Sequence, residues 1–155
     1  MNTAAQIAYK NTLKQFCQSI IEQRIATARQ AMAAAQEAAN AEEKSSAGDK
    51  YETARAMGHL EKDMHAKQLA GLIKELSALN AVPTGIIYQH IQNGAYIKTS
   101  NGHFFIAAGL GKQVIENKII YLLSPTAPLA QQLQGKTKGH RLLFNKEWLV
   151  VEEVF

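Results

Sequence analysis

Cysteine and proline are scarce in this chain of 155 residues, which contains one cysteine and three prolines. The single cysteine, Cys17, excludes an internal disulfide and fits a reducing compartment. No proline precedes Pro83, so none interrupts a helix in the first half. Apolar runs stay short of the roughly eighteen residues of a membrane span, and no basic segment followed by an apolar core opens the chain. We therefore expect no signal peptide, no transmembrane helix and a cytoplasmic location.

Charge of one sign is also scarce, because 17 lysines and arginines are balanced by 13 acidic residues to a formal net charge of +4. No run of basic residues forms a stripe that could follow a phosphate backbone. We therefore expect no independent sequence-specific DNA binding and no membrane partner. Apolar residues make up 46% of the chain, which is enough for a packed core. The length suits one ordinary domain or two small ones.

The first half has the pattern of two long helices. From residue 3 to about 41, apolar residues follow a heptad repeat that becomes rich in alanine toward its end. These positions are Ile21, Ile25, Ala28, Met32, Ala35 and Ala39. Gly48 interrupts the pattern, and a second helix is predicted from about Asp49 until shortly before Pro83. Its apolar positions are Met57, Leu60, Met64, Leu69, Leu72, Leu76 and Leu79.

Two long helices joined by a short loop predict an antiparallel hairpin over residues 1–80, with its turn inside residues 42–52. The turn contains four carboxylates, from Glu42, Glu43, Asp49 and Glu52. Small alanine side chains near this end allow the two helices to approach closely. Asp49 and Glu52 lie on one face of a helix, where they could either bind a metal ion or form a capping box. We interpret Glu42 and Glu43 as part of a solvated face.

The second half, residues 84–155, has the pattern of a small, mainly antiparallel sheet with one short helix. Strands are predicted at 85–88, 95–99, 103–107, 118–123, 141–144 and 148–151, and the helix near Pro128–Leu133. Ser100-Asn101-Gly102 and Asn145-Lys146 are the predicted hairpin turns. The boundary falls near residues 80–84, where no flexible linker occurs. The fold class is therefore α+β, a helical hairpin followed by a β-rich domain.

This layout resembles the Gre-type (GreA/GreB family) transcript cleavage factors of bacterial RNA polymerase. Residues 48–52, Gly-Asp-Lys-Tyr-Glu, are similar to the Gly-Asp-x-x-Glu of the family. The run that begins with Leu-Ser-Pro at 123–125 and continues with Leu-Gln-Gly-Lys at 133–136 is similar to the C-terminal motifs of the family. So is the closing segment at 150–154, Val-Val-Glu-Glu-Val. The resemblance extends over nearly the whole chain.

The resemblance implies an FKBP-like C-terminal domain and a hairpin that enters the secondary channel of RNA polymerase. It implies that Asp49 and Glu52 are the catalytic carboxylates at the hairpin tip and that they share Mg²⁺ with the polymerase during cleavage of backtracked RNA. The partners would be RNA polymerase and, indirectly, the 3′ end of the nascent RNA. The chain would then bind no cofactor stably and would not be an enzyme on its own.

Two departures from the family pattern leave other functions open. The family continues Asn-Ala-Glu-Tyr after the tip glutamate, whereas residues 53–56 here are Thr-Ala-Arg-Ala, and His140 stands where the family has an aspartate. One alternative is a regulator that binds polymerase without stimulating cleavage. Another is a coiled-coil adaptor whose sheet binds an unrelated protein.

Other residues with reactive or metal-binding side chains are interpreted as structural. Cys17 lies among apolar residues, which favours a small buried side chain over a thiol nucleophile. His59 and Asp63 have a metal-compatible spacing, but no second pair completes a site. The segment at 109–112, Gly-Leu-Gly-Lys, lacks the full spacing of a phosphate-binding loop and is expected to be a strand-end turn. The remaining aromatic candidates, expected in the core, are Phe104, Phe105 and Trp148.

Overall fold

Two long helices are followed by a six-stranded sheet in the computed structural model. The structure describes the backbone of residues 1–45 and 49–155, and the side chains of residues 1–41 and 52–155. The elements are α1 (Thr3–Ser45), α2 (Asp49–Asn80), β1 (Tyr96–Thr99), β2 (Gly102–Ile106), β3 (Gly111–Ile115), β4 (Lys118–Leu123), α3 (Pro128–Leu133), β5 (Arg141–Phe144) and β6 (Glu147–Val154). The predicted α+β class, with helices first and strands second, is confirmed.

The heptad positions of α1 form its buried face, as predicted. Ile21, Ile25, Ala28 and Ala35 are buried there. The side chains of α2 that pack against this face run in the opposite direction. Leu76 lines a groove with Ile25, and Leu72 lines another with Ala28. A Cβ atom built at Gly58 would lie 3.4 Å from the Cβ of Ala39. The two helices are therefore antiparallel and lie close together at the small residues Gly58 and Ala39.

The part of α2 nearest the turn does not bury the residues that were predicted to pack. Met57, Leu60 and Met64 are 66%, 70% and 62% exposed. Ala54 and Gly58 face inward instead, because the close approach to the alanines of α1 leaves no room for large side chains. The prediction for these three positions was therefore wrong, whereas Leu69, Leu72, Leu76 and Leu79 do face inward.

The chain forms two compact units. One contains Ser19–Ser77, the larger part of both helices, and the other contains Met1–Gln18 together with Ala78–Phe155. In the second unit the first turns of α1 cover one face of the sheet, where the ring of Tyr9 meets the ring of Tyr96 edge-on at 5.2 Å. The division into domains at 1–80 and 84–155 stays a prediction.

The strands lie in the order β3-β4-β2-β1-β6-β5, and only the β2–β4 pair is parallel. The predicted turns join β1 to β2 and β5 to β6. The second of these uses Asn145 and Lys146, with φ of 50° and 66°. Helix α3 buries Leu129, Ala130 and Leu133 against the sheet face that α1 does not cover. The core of this unit is therefore layered, with α1 and α3 on opposite faces of the sheet.

Two predictions of strands were wrong. Residues 85–88 form no strand, because the Ile86 carbonyl accepts a hydrogen bond from the side chain of Lys10 rather than from a neighbouring strand. Strand β3 was not predicted, since glycines 109 and 111 gave its start the composition of a turn. The actual turn is Glu116-Asn117, where both residues have positive φ.

Candidate functional site

The predicted tip carboxylates belong to the first turn of α2. This helix begins at Asp49, close to the predicted start, while α1 ends at Ser45. The side chains of Glu42, Glu43 and Asp49 lie outside the described residues. Glu52 is described, and its side chain is exposed to solvent. Because α1 ends at Ser45 and the antiparallel α2 begins at Asp49, the exposed Glu52 carboxylate lies in the first turn of α2, near one end of the pair of helices.

The nearest described charge on the same helix is that of Arg55, which is also exposed. In the part of the chain that the structure describes, no ion pair joins Glu52 to Arg55, although one does join Lys98 to Glu152. The carboxylate of Glu52 is thus not occupied by the guanidinium one turn away.

No group of three or more His, Cys, Asp or Glu side chains among the described residues could hold a metal ion. His59 and Asp63 are both exposed, as expected of surface groups. Glu52 is the described carboxylate near the tip, and carboxylate oxygens are ligands that Mg²⁺ prefers.

Cys17 is not placed to act as a nucleophile. Its side chain is fully buried, and burial raises the pKa of the thiol to about 12. The reactive thiolate is therefore disfavoured at neutral pH. The structural interpretation of this residue is confirmed.

A polar anchor that the sequence patterns did not reveal joins α1 to the segment after α2. The side chain of Lys14 donates hydrogen bonds to the carbonyls of Asn80 and Val82, at 3.1 and 2.8 Å. Lys10, one turn earlier, is fully buried and bonds to the carbonyl of Ile86. Both lysines lie on the same apolar face of α1 as Leu13 and Cys17. A pair of cations four residues apart on this face was the only sign of the anchor in the sequence.

The sheet face beneath α1 contains a cluster of titratable side chains. The hydroxyl of Tyr96 is hydrogen-bonded to Nδ1 of His103 at 2.6 Å, and the two rings are stacked. Burial raises the pKa of Tyr96. Burial has the largest effect on the pKa of His103 and lowers it, and the nearby charges of Lys118 and Lys98 lower it further. The histidine is therefore held neutral at physiological pH, which makes it a hydrogen-bonding partner rather than a cation.

The opposite sheet face, beside α3, has a cavity of about 410 Å³. Its walls include Phe104 and Tyr121, whose rings stack with centroids 5.4 Å apart, and Phe144. At its rim the side-chain amide of Asn101 donates a hydrogen bond of 3.1 Å to Glu147. The lining is mostly apolar and includes a few polar side chains, which is typical of a concave surface that can enclose an apolar group.

The aromatic residues expected in the core divide into two groups. Phe104 and Phe105 are buried, as predicted. Trp148 is 57% exposed, so its assignment to the core was wrong. Its position on β6 faces away from α3, where the described residues provide no covering element near the β5–β6 hairpin.

Comparisons of the chain with protein-family models, with curated proteins and with solved structures found no match. A search of the described residues for helices long and apolar enough to cross a bilayer found none.

Proposed function

We propose that this chain is a transcription elongation factor of the Gre type, which binds RNA polymerase and places the tip of its helical hairpin in the secondary channel. The observation that supports this most strongly is the hairpin itself. Helix α1 ends at Ser45 and the antiparallel α2 begins at Asp49, so that the Asp-x-x-Glu motif lies in the first turn of α2, near one end of the pair. A thin helical pair with carboxylates at its end suits insertion into a channel.

The proposed role of the tip is to help position Mg²⁺ in the active site of the polymerase. Asp49 and Glu52 would hold the ion together with groups of the polymerase. When bound, such an ion stabilises charge on the attacking and leaving oxygens of phosphoryl transfer. The chain would then stimulate cleavage of backtracked RNA without being an enzyme on its own.

The proposed finer class of the second unit is FKBP-like. A six-stranded sheet with one short helix against one face supports that class. We propose that this unit supplies the docking surface for polymerase. The aromatic cavity beside α3 supports this role, because a partly apolar concave surface can bury an apolar side chain of a partner.

One observation favours a second candidate function, a regulator that occupies the same channel without stimulating cleavage. Arg55 is exposed one turn from Glu52, at a position where the family has an acidic residue. A cation there would repel Mg²⁺ and weaken its binding at the tip. A coiled-coil adaptor for an unrelated protein is the remaining alternative.

The deciding experiment adds the purified chain to bacterial RNA polymerase stalled in a backtracked complex with labelled RNA. Accelerated cleavage in Mg²⁺ is the result expected of the cleavage factor. Binding to polymerase without acceleration supports the binding-only regulator. If the chain does not bind polymerase at all, both functions are excluded and the adaptor remains.

A further inference from the structure

The last strand of the sheet, β5, has an exposed outer edge. Within the described residues no strand lies beyond β5 in the sheet order. Leu143 of β5 is directly opposite Trp148 of β6, and the two side chains are 51% and 57% exposed. The guanidinium of Arg141 lies 5.4 Å from the centre of the indole ring. Tryptophan and arginine are the side chains that most often dominate the energy of protein interfaces.

The pairing of the β5–β6 hairpin determines which backbone groups point outward. Phe144 and Glu147 close a two-residue turn, and such a closing pair exchanges backbone hydrogen bonds. Bonded pairs then alternate along the ladder. In agreement, the N–H of Val151 donates to the carbonyl of His140 at 2.9 Å. The N–H and C=O groups of Arg141 and Leu143 therefore point away from the sheet, toward a position that a further strand could occupy.

Charge favours one kind of partner at this edge. No acidic residue occurs between Glu116 and Glu147, whereas this part of the chain contains several cations. Lys136, Lys138, Arg141 and Lys146 precede or belong to the β5–β6 hairpin, whereas Lys118 begins β4 and pairs with Ile115 of β3. A partner with carboxylates would be attracted to this region and a basic one repelled.

The other edge of the sheet resembles β5 in exposure but not in chemistry. Val114 of β3 is 64% exposed and lies opposite Ile119, which is 46% exposed. The neighbouring charges there are of both signs, from Lys112, Lys118 and Glu116. Because β3 lacks both the Trp–Arg pair and the excess of cations, it provides a matched reference for β5.

We propose that the outer edge of β5 binds an extended acidic segment of a partner protein, which adds to the sheet as a further strand. The backbone groups of Arg141 and Leu143 would pair with the segment, and Trp148 and Leu143 would bury its apolar side chains. A protein segment is favoured over single-stranded nucleic acid because only a peptide backbone can continue the ladder. The proposal does not depend on the proposed function in transcription.

The test uses the full chain and a short fluorescein-labelled peptide in which valine alternates with glutamate. Binding is followed by fluorescence anisotropy, and the amides of Arg141 and Leu143 are followed by NMR hydrogen exchange. We expect saturable binding, protection of both amides and weaker binding as salt is raised. The same peptide with N-methylated amides, or with lysine in place of glutamate, should bind at least about tenfold more weakly.

Leu143→Pro removes an outward N–H but no bond to β6, and proline is tolerated at such a position of an edge strand. It should weaken peptide binding at least about tenfold, whereas Val114→Pro, the equivalent change on β3, should leave it within about twofold. Arg141→Glu provides a second variant that keeps the backbone intact and should weaken binding similarly. Circular dichroism confirms that each variant is folded.

The proposal is overturned if the acidic peptide does not bind at millimolar concentration, or if Arg141→Glu and a folded Leu143→Pro both bind it as the wild type does. Equal binding of the N-methylated peptide excludes strand addition. Tight binding of oligothymidylate in the absence of peptide binding would assign this surface to nucleic acid instead.

Discussion

The ammonium group of Lys10 donates a hydrogen bond to the backbone carbonyl of Ile86, 76 residues further along the chain. Lys10 is fully buried, and its only described cation–π contact is with Tyr88, whose ring centre is 4.7 Å away. The carbonyl and ring stabilise the cation only in part, and burial lowers the pKa of Lys10 to about 8. A buried cation thus connects the start of α1 to the segment that follows α2.

This pKa predicts a dependence of stability on pH. In the unfolded chain the amine keeps its ordinary pKa of 10.5, so between about pH 8 and 10.5 the unfolded state binds more protons than the folded state. The contribution of Lys10 to the free energy of unfolding therefore rises with pH through this range. We expect the unfolding free energy of the wild type to rise relative to that of Lys10→Met as the pH is raised from 7.5 to 9.5. Urea denaturation at each pH measures it.

The wild type must be compared with Lys10→Met at each pH, because burial also raises the pKa values of Cys17 and Tyr96. Those raised pKa values lower stability at alkaline pH in both chains. Lys74→Met, an exposed position on α2, serves as the control and should follow the wild type at every pH. A difference between wild type and Lys10→Met that stays constant over this range would contradict the assigned pKa.

The helices could be predicted because their signal is long and periodic. The heptad of α1 from Ile21 to Ala39 repeats often enough to define the buried face without knowledge of the partner. In α2 the same method failed for Leu60, which lies on the exposed face. There the close approach of the helices near Gly58 determined which side faces inward, and this depends on the residues of both helices.

Exposed aromatic residues and short strands depend on tertiary context in the same way. Trp148 opens the apolar run of residues 148–151, which is typical of a buried strand, but nothing in this local pattern shows that β6 lies next to the edge strand of the sheet. The resemblance of residues 48–52 to a tip motif stays a prediction from the sequence. The anchor formed by Lys10 and Ile86 was not, because the two residues are distant in the sequence.

Removal of most of the helical hairpin should leave a folded protein. The side chains of Gln18 and Asn80 are joined by a hydrogen bond of 2.8 Å, so a short Gly/Ser linker can replace residues 19–77. We expect this shortened chain to unfold cooperatively, because it keeps the whole compact unit that contains the sheet. The cooperativity of unfolding is measured by heating the shortened chain while its circular dichroism is recorded.

The matched comparison is a fragment of residues 84–155, which lacks the first turns of α1. It loses Tyr9 and the fully buried Leu13, so apolar surface around Tyr96 and Phe155 becomes exposed. We expect its midpoint of unfolding to be lower by at least about 10 °C. If both chains melt at the same temperature, residues 1–18 do not belong to the folding unit of the sheet.

Isosteric changes at the tip separate a role in metal binding from a role in helix capping. If Asp49 and Glu52 share Mg²⁺ with the polymerase, Asp49→Asn and Glu52→Gln should abolish stimulated cleavage while affinity for polymerase changes little. Asparagine caps a helix as well as aspartate does, so helix content should be retained. Cleavage of a stalled, backtracked complex is measured beside thermal unfolding.

A capping role predicts a different order of effects. Asp49→Asn would then be almost silent, whereas Asp49→Ala would cost about 0.5–2 kcal/mol of stability. Glu75→Gln, an exposed carboxylate far along α2, is the control and should change neither cleavage nor stability. Full cleavage activity in both isosteric variants would exclude the carboxylates from the reaction.

Arg55 decides between the cleavage factor and the binding-only regulator. Its guanidinium is exposed one turn from Glu52, and no described ion pair neutralises it, so its positive charge would oppose an Mg²⁺ ion bound at the tip. Arg55→Glu replaces this repulsion with attraction and should raise cleavage of the backtracked complex by about threefold or more at limiting Mg²⁺. Lys62→Glu makes the same change of charge about two turns further from Glu52 and should have little effect. Equal cleavage by the wild type and Arg55→Glu at every Mg²⁺ concentration would show that this charge does not control the metal at the tip.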